Sequence, residues 1–557
     1  MRVINGCGYS KEKYESAFSR FEKIVGRVEA VDEKKKTISY EDFGAVGDGV
    51  ANDADAMRAA HEAANEQGLP VRGKKGATYR IAELSDSIVI KTSTDWNGAT
   101  IVFDDTVIPW NSSERSKRIF YVAPKFEPRA LNFKGPISVS QGQTNVGITF
   151  DAPCMLKIED TNEKVYKRYG PNANNGVNKG EMILVDADGN VDPSTPIQYN
   201  YENITDITLY SIDDEPITIG NARIETHAPN PKAMDPDYEN NYCYYMRGIF
   251  VRRSNTCIHN VEYRVIGEDL TIPIDRNGDG VIDIYGADKS YGVPYAGNFS
   301  FKDCYNVMLA DSVIQGHQAY SFWQGKTRDE KGNVRNEMGS YSINANDCVN
   351  LHMCDLVQYE NPENGELITN RQMYHGIMGT NFCRNTYLYN CYLDRFDSHQ
   401  GMHNAYVKDC TLGFGILVIG GGVLEVENTY RISGSSFVHL RTDYNSIFDG
   451  DLVIRNCRAG EDVPYLIFGN WIKFYNGLPN HIFDRITVDG YVTESGKLLL
   501  YNMRNATADS VIDDVNKLYV PSIVKLSDVY ASDGETAVKA EIGDQPDAFA
   551  STEIIYE

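Results

Sequence analysis

Positive charge is in short supply. The chain sets 54 lysines and arginines against 78 aspartates and glutamates, a formal net charge of −24, with no basic cluster to offset it. Such a field repels phosphate backbones and anionic lipid surfaces, so nucleic acid is not an expected partner. Long apolar runs are missing too. The longest, Gly413 to Leu424, has twelve residues, against the ~20 a membrane helix needs, and no membrane span is expected. Residues 1–10 lack a basic stretch followed by an apolar one. No export leader is visible, and the expected location is cytoplasmic, or secreted or periplasmic if a leader has been removed. The 11 cysteines, an odd number, form no Cys-x-x-Cys pair, which points to reduced, buried thiols and away from a disulfide framework. With 47 Gly and 20 Pro in 557 residues, collagen-like and disordered classes are also excluded.

What the chain does have is tyrosine. The 36 Tyr and 21 Phe, many beside Asn, Asp and Gly, suit sugar stacking and equally suit half-exposed strands. The length prior gives three or four domains at ~150 residues each, although repetitive β architectures run longer as one unit.

Residues 1–38 read as an accessory segment. Ser10 can cap a helix that runs to Val25 and stops at Gly26, with Tyr14, Phe18, Phe21, Ile24 and Val25 on one face. The stretch after it is the most informative. Gly44, Gly47 and Gly49 allow a tight irregular turn, Asn52 can cap a helix with Asp53 and Asp55 in its first turn, and Ala56, Ala59, Ala60, Ala63 and Ala64 make a small-residue face that ends at Gly68. A helix faced with alanine packs very close to whatever it covers.

Internal repeats follow. Asn385-Thr-Tyr-Leu-Tyr-Asn-Cys391-Tyr-Leu recurs as Asn404-Ala-Tyr-Val-Lys-Asp-Cys410-Thr-Leu after 19 residues, and Gly422-Val-Leu-Glu-Val-Glu-Asn428 follows 18 later. Cys304-Tyr-Asn306, Cys348-Val-Asn350 and Cys383-Arg-Asn385 recur at intervals of 44 and 35, and Asp451 to Cys457 extends the series. Such periods mark stacked β-coils. The repeated Asn are expected to bond one another along the stack, and the Cys to fill interior gaps.

The segment Asp42-Phe43-Gly44-Ala45-Val46-Gly47-Asp48-Gly49, with Asn52-Asp53 and the alanine helix, resembles the opening signature of the pectate-lyase superfamily of right-handed parallel β-helices. The resemblance implies an all-β fold: a single-stranded right-handed parallel β-helix solenoid over 39–515, capped by a helix near 53–66. It leaves the chemistry open among hydrolases, lyases, epimerases and tailspikes. Residues 125–240 are expected to carry long loops on the early coils, and 516–557 to form a C-terminal cap or tail.

In a solenoid, chemistry needs polar residues at equivalent places in neighbouring coils. Asp394-Arg395-Phe396-Asp397-Ser398-His399-Gln400-Gly401-Met402-His403 puts two acids, one Arg and two His within ten residues, in what reads as an inter-strand turn. An earlier coil adds His375, and a later one His439-Leu-Arg441-Thr-Asp443-Tyr444. The expected activity is cleavage of glycosidic bonds in a poly- or oligosaccharide by a glycoside hydrolase. Asp397 and Asp443 form its carboxylate pair, Asp394 is the substitute member, and His399 tunes the acid. His375, Arg395, His403, Arg441, Tyr444 and Trp323 are the expected substrate contacts, with Trp471 as a second stacking candidate, and the arginines suit a carboxylate or sulfate on the sugar. Loss of either carboxyl is expected to remove activity and leave folding little changed.

Two alternatives stay open: a polysaccharide lyase or epimerase acting on uronates, with Arg441 and Tyr444 or His399 doing the work, and a non-catalytic glycan-binding or tailspike-like solenoid. The polygalacturonase motifs Asn-Thr-Asp, Gly-His-Gly and Arg-Ile-Lys do not occur. No cofactor is required. Asp275, Asn277, Asp279 and Asp283 have the spacing of a calcium loop with Gly286 where the bidentate Glu should be, so structural Ca²⁺ competes there with a plain β-hairpin. A homo-oligomer is open.

Overall fold

The computed structural model describes residues 17–26, 36–108, 112–133, 135, 137–170, 173–227, 247–267, 273–274, 284–285, 296–315, 341–358 and 378–557. Twenty-nine of their strands join into one parallel sheet that winds as a β-helix. Two ladders run its length. The first begins at Ile38–Ser39 and Asp48–Asn52 and passes through Val71–Arg72, Thr78–Ile81, Thr94–Asp104, Ile217–His227, Thr256–Ile266 and Tyr305–Ile314 toward Glu553–Tyr556. The second begins at Ile88–Ile90 and carries Tyr341–Asn346, Met378–Asn381, Tyr392–Gln400, Thr411–Val418 and Ser436–Leu440 on successive rungs.

Parallel, in-register pairing stacks equivalent residues ~4.8 Å apart. In the first ladder it aligns Ile219, Ile258, Leu309, Met353, Leu388, Val407, Val426, Ile454, Val488 and Leu526 into one interior column. All of them are buried, and the continuous aliphatic column is the spine of the core.

The turns are held by asparagine. Asn404 donates to Asn385 at 2.9 Å, Asn385 to Asn350 and Asn350 to Asn306 at 3.1 Å, and Asn306 to Asn255 at 3.2 Å. All five residues have positive φ, from 49° to 57°, a conformation asparagine tolerates better than other side-chain-bearing residues. The repeated cysteines are free and buried, as the spacing implied.

The helix Ala54–Gln67 closes one end, burying Ala54, Met57, Ala60, His61 and Ala64. Asp53 rather than Asn52 occupies the cap position. Its carboxylate turns back to accept the Val46 and Gly47 amides at 2.7 and 3.2 Å, tying the glycine turn to the helix start. Gly47 has φ 65°, and a Cβ there would meet Ala77 at 3.0 Å. In the accessory segment, the described helix Ala17–Val25 seats Phe21 on Cys257, Met308, Ala310 and Cys354.

Three expectations change. Within the stretch expected to carry loops, residues 129–211 hold a small folded unit. Arg129–Ala130, Cys154–Val165, Val177–Val185 and Asp206–Ser211 form an antiparallel sheet with its own core of Leu156, Ile158, Ile183 and Ile207. Irregular spacing and turn residues hid these strands. The buried Glu181 docks the unit by accepting from Arg384 of the solenoid, and within the unit it also accepts from the Gln198 amide at 2.9 Å and the Tyr201 hydroxyl at 3.1 Å. The solenoid also does not stop at 515, because Ile523–Ala531 and Glu553–Tyr556 continue the parallel ladder without the Asn/Cys signature. Finally, Tyr392–Gln400 is a strand and not a turn.

Asn350→Ala is expected to cost about 2–4 kcal/mol, from two ladder bonds and an alanine forced to positive φ. Chemical denaturation should show Asn350→Gly recovering the backbone part. Equal losses for both variants would contradict the conformational argument.

Candidate functional site

Side chains two apart along a strand share a face. In Tyr392–Gln400 this sets Arg395, Asp397 and His399 in one outward row, while Phe396 between them enters the core. Asp397 has no exposed surface. Its Oδ2 accepts from the Tyr341 hydroxyl at 2.8 Å, from His399 Nε2 at 3.2 Å and from Arg395, and its Oδ1 accepts from Arg441 at 3.4 Å.

Tyr341 arrives from two rungs away. Its ring lies over Gly379, where a Cβ would stand 2.9 Å from a ring carbon, so only glycine leaves the hydroxyl its path to Asp397. That hydroxyl also accepts from Arg395 at 2.8 Å and stands 2.8 Å from His399 Nε2.

Arg441 follows the strand Ser436–Leu440 and holds Asp443 bidentately, at 3.1 and 2.9 Å. The turn Thr442–Tyr444 is fixed by Asn445, which has φ 67° and bonds the Ile472 and Phe474 carbonyls at 2.9 and 2.8 Å. Asp443 Oδ2 also pairs with Arg168 of the inserted unit at 2.8 Å. The buried Tyr444 ring has the Arg168 and Arg441 guanidinium groups each 5.8 Å from its centre, and its hydroxyl accepts from Gln400 at 3.3 Å.

Three guanidinium groups thus meet two carboxylates, a local balance of +1 in a chain of −24. His399 keeps 30% of its side chain accessible. Desolvation, followed by the fields of Arg441 and Arg395, lowers its pKa well below the usual histidine value and keeps the ring neutral. Nε2 faces both the Tyr341 hydroxyl and Asp397, and in the tautomer in which Tyr341 donates to Asp397 it is Nε2 that carries the proton and Nδ1 the lone pair. Burial works against ionisation of Asp443, but Arg441 and Arg168 outweigh it and hold its pKa below the ordinary range.

The structure therefore joins Arg395, Asp397, His399, Arg441, Asp443 and Tyr444. Tyr341 and Arg168 complete the cluster and were missed, since neither stands in a motif and each comes from a distant part of the chain. His403 faces another side: it pairs in register with Arg384 and Gly421, and burial first, then Arg384, lowers its pKa to about 3. Asp394 sits at a register shift beside Gly413. Trp471 packs on the core and donates to the Asn516 carbonyl at 2.7 Å. His375, Trp323, Asp275, Asn277, Asp279 and Asp283 lie outside the described residues. The strands flanking that last group pair antiparallel, with Pro273 opposite Tyr285. One grouping with metal-ligand chemistry among the described residues is Asp449, His481 and Asp484, where the His481 ring faces Asp484 at 2.8 Å and Asp449 at 3.6 Å.

The rungs, the asparagine ladder and the alanine-faced cap together define the architecture. It is a parallel β-helix with a helical cap. No family model and no curated protein matches the chain. Solved structures similar to it include the tailspike protein gp49 from Pseudomonas phage LKA1, at 13% identity over 93% of this chain and 84% of that one, with a TM-score of 0.47. The mannuronan C-5 epimerase AlgE6 A-module of Azotobacter vinelandii is 11% identical over 93% and 99%, with a TM-score of 0.34. An exopolygalacturonase from Thermotoga maritima is 10% identical over 88% and 96%, with a TM-score of 0.30.

The burial of Asp397 changes one expectation: its loss should not spare the fold. Asp397→Ala strands two guanidinium groups and is expected to lower stability by about 3–5 kcal/mol, read by chemical denaturation. A second prediction concerns pH. His399, together with His439 and His403, both lowered to about 3 with burial as the largest cause, stays neutral in the fold but takes a proton when unfolded below a pKa of about 6.5. Stability is therefore full above that value and falls as pH drops below it. Melting temperatures taken across that range should decline on acidification, and a flat profile would contradict the neutral assignments.

Proposed function

We propose that the protein acts on uronic-acid units of a poly- or oligosaccharide by removing the proton from the carbon that bears the carboxylate. The observation that carries this reading is the neutral His399, whose Nε2 faces Tyr341 and Asp397, set among guanidinium groups that bond both carboxylates.

A paired-carboxylate hydrolase needs one carboxyl protonated. Asp397 receives donors on both oxygens and Asp443 is held by two arginines, so each is suited to the ionised form. The groups placed to move a proton are His399 and the Tyr341 hydroxyl. Arg168 and Arg441, partly accessible, suit the substrate carboxylate, and their charge stabilises the negative charge that builds on it when the neighbouring C–H bond breaks.

His399 takes the proton. The electron pair then forms a C=C bond as the C–O bond to the 4-linked oxygen breaks and that oxygen leaves with a proton supplied by solvent water, or solvent water returns a proton to the opposite face of the same carbon. The first outcome is elimination and the second epimerisation. Asp397 positions the imidazole and Tyr341 and does not touch substrate.

Incubation of the protein with a panel of polyuronates in deuterated water should give either deuterium at the carbon next to the carboxylate, the mark of epimerisation, or an ultraviolet-absorbing unsaturated end, the mark of elimination. His399→Gln should cut this activity by about 10²–10⁴-fold while the melting curve stays close to wild type. Cleavage that adds water, survives His399→Gln and is abolished by Asp443→Asn would instead establish the hydrolase.

A further inference from the structure

The outward column that contains Asp397 can be followed along the second ladder by register alone. Asp397 pairs with Gly379, Gly379 with Asn344, Asn344 with Ser300, and Ser300 with Phe250. A parallel column two residues further along, three at Gln400 where the register shifts, runs Gln400, Asn381, Asn346 and Lys302. These two columns form the floor of a cleft of about 680 Å³, whose lining includes Phe250, Ser300, Lys302, Asn344, Asn346 and Gln400. Lys157, Glu159, Lys164 and Asn178 of the inserted unit form its roof. Gln400 belongs to both places, since it lines the cleft and donates to Tyr444 at 3.3 Å.

The charge of the cleft opposes that of the chain. Arg118, Lys157, Lys164 and Lys302 line it against Glu159 and Asp347, four positive groups against two negative in a protein of −24. Lys157 stands 3.3 Å from Asp347 and 3.9 Å from Glu159, so those acids are spent on one lysine. Arg118 lies 4.7 Å above the Phe250 ring and donates to Ser300 at 3.3 Å, which aims its guanidinium along the floor. Beyond Asp397 in the other direction the same column turns to Leu417, His439 and Phe468, and the run of polar floor residues ends.

We infer that this roofed cleft is the channel for about four consecutive residues of the acidic chain on one side of the reacting unit, one per rung at ~4.8 Å spacing. Lys302 and Arg118 read the carboxylates, and the asparagine and glutamine side chains bond the hydroxyls. The inference rests on the uronate reading of the adjacent cluster. It adds to that reading a direction for the bound chain and a role for the inserted unit, which roofs the channel and supplies Arg168 to the cluster.

The test uses full-length His399→Gln protein, so that substrate is not consumed, titrated calorimetrically with oligogalacturonates and oligomannuronates of two to six residues and with neutral cello-oligosaccharides of matching length. For the uronate series that binds, affinity should rise with length and level off near five residues, and neutral oligomers should bind far less. Lys302→Gln and Arg118→Gln should each weaken the longest oligomers about tenfold and leave the dimer unaffected, with melting curves confirming the fold. Wild-type exchange at the carbon next to the carboxylate without any length effect, or without any effect of Lys302→Gln, would overturn the channel alone. Absence of binding by every uronate oligomer would overturn it together with the reading it rests on.

Discussion

Hydrogen bonding between successive coils, parallel and in register, is the constraint from which the rest of the molecule follows. Once each coil lies on the one before at ~4.8 Å, every position becomes a column. An aliphatic position becomes the spine from Ile219 to Leu526, and an asparagine at a bend becomes the chain of amide bonds from Asn255 to Asn404. An outward polar position becomes a surface row. Errors are costly in such a stack, because a residue that fails at one rung leaves neighbours above and below without partners.

The polar cluster uses the same rule in an unusual way. Arg395, Asp397 and His399 come from one strand, Tyr341 from two rungs before and Arg441 from two rungs after. The short reach between rungs lets a completely buried carboxylate collect several donors without any long loop. That burial fixes geometry at a cost in stability: three arginines and two aspartates gain from one another only while all stay in place. It also keeps the imidazole neutral to a lower pH than solvent would.

The inserted antiparallel unit shows how a solenoid acquires shape. It stands between the strands Phe120–Val122 and Ile217–His227, has a core of its own, and is anchored through Glu181 and Arg384 well away from the cluster. Its far end delivers Arg168 to Asp443 and pairs the Tyr169 amide with the Asp443 carbonyl at 2.9 Å. An open side of the β-helix is thereby turned into a roofed cleft.

Local order determined much of this in advance. The glycine turn and alanine helix at residues 42–68, and the Asn/Cys repeats, each report contacts of a residue with its own coil or the next, and such contacts recur at fixed spacing. The same holds for the row Arg395, Asp397, His399 and for Arg441 with Asp443, whose members stand two apart in the chain. Tertiary structure alone decided the rest. Nothing near Tyr341 marks it as the partner of Asp397, because its access depends on the absent side chain of Gly379 on the rung between. Arg168 precedes Asp443 by 275 residues, and its arrival depends on how a separate sheet docks. The surroundings of the acids also had to wait: two acids and two histidines in one short segment say nothing of how deep Asp397 lies or how many guanidinium groups gather around it.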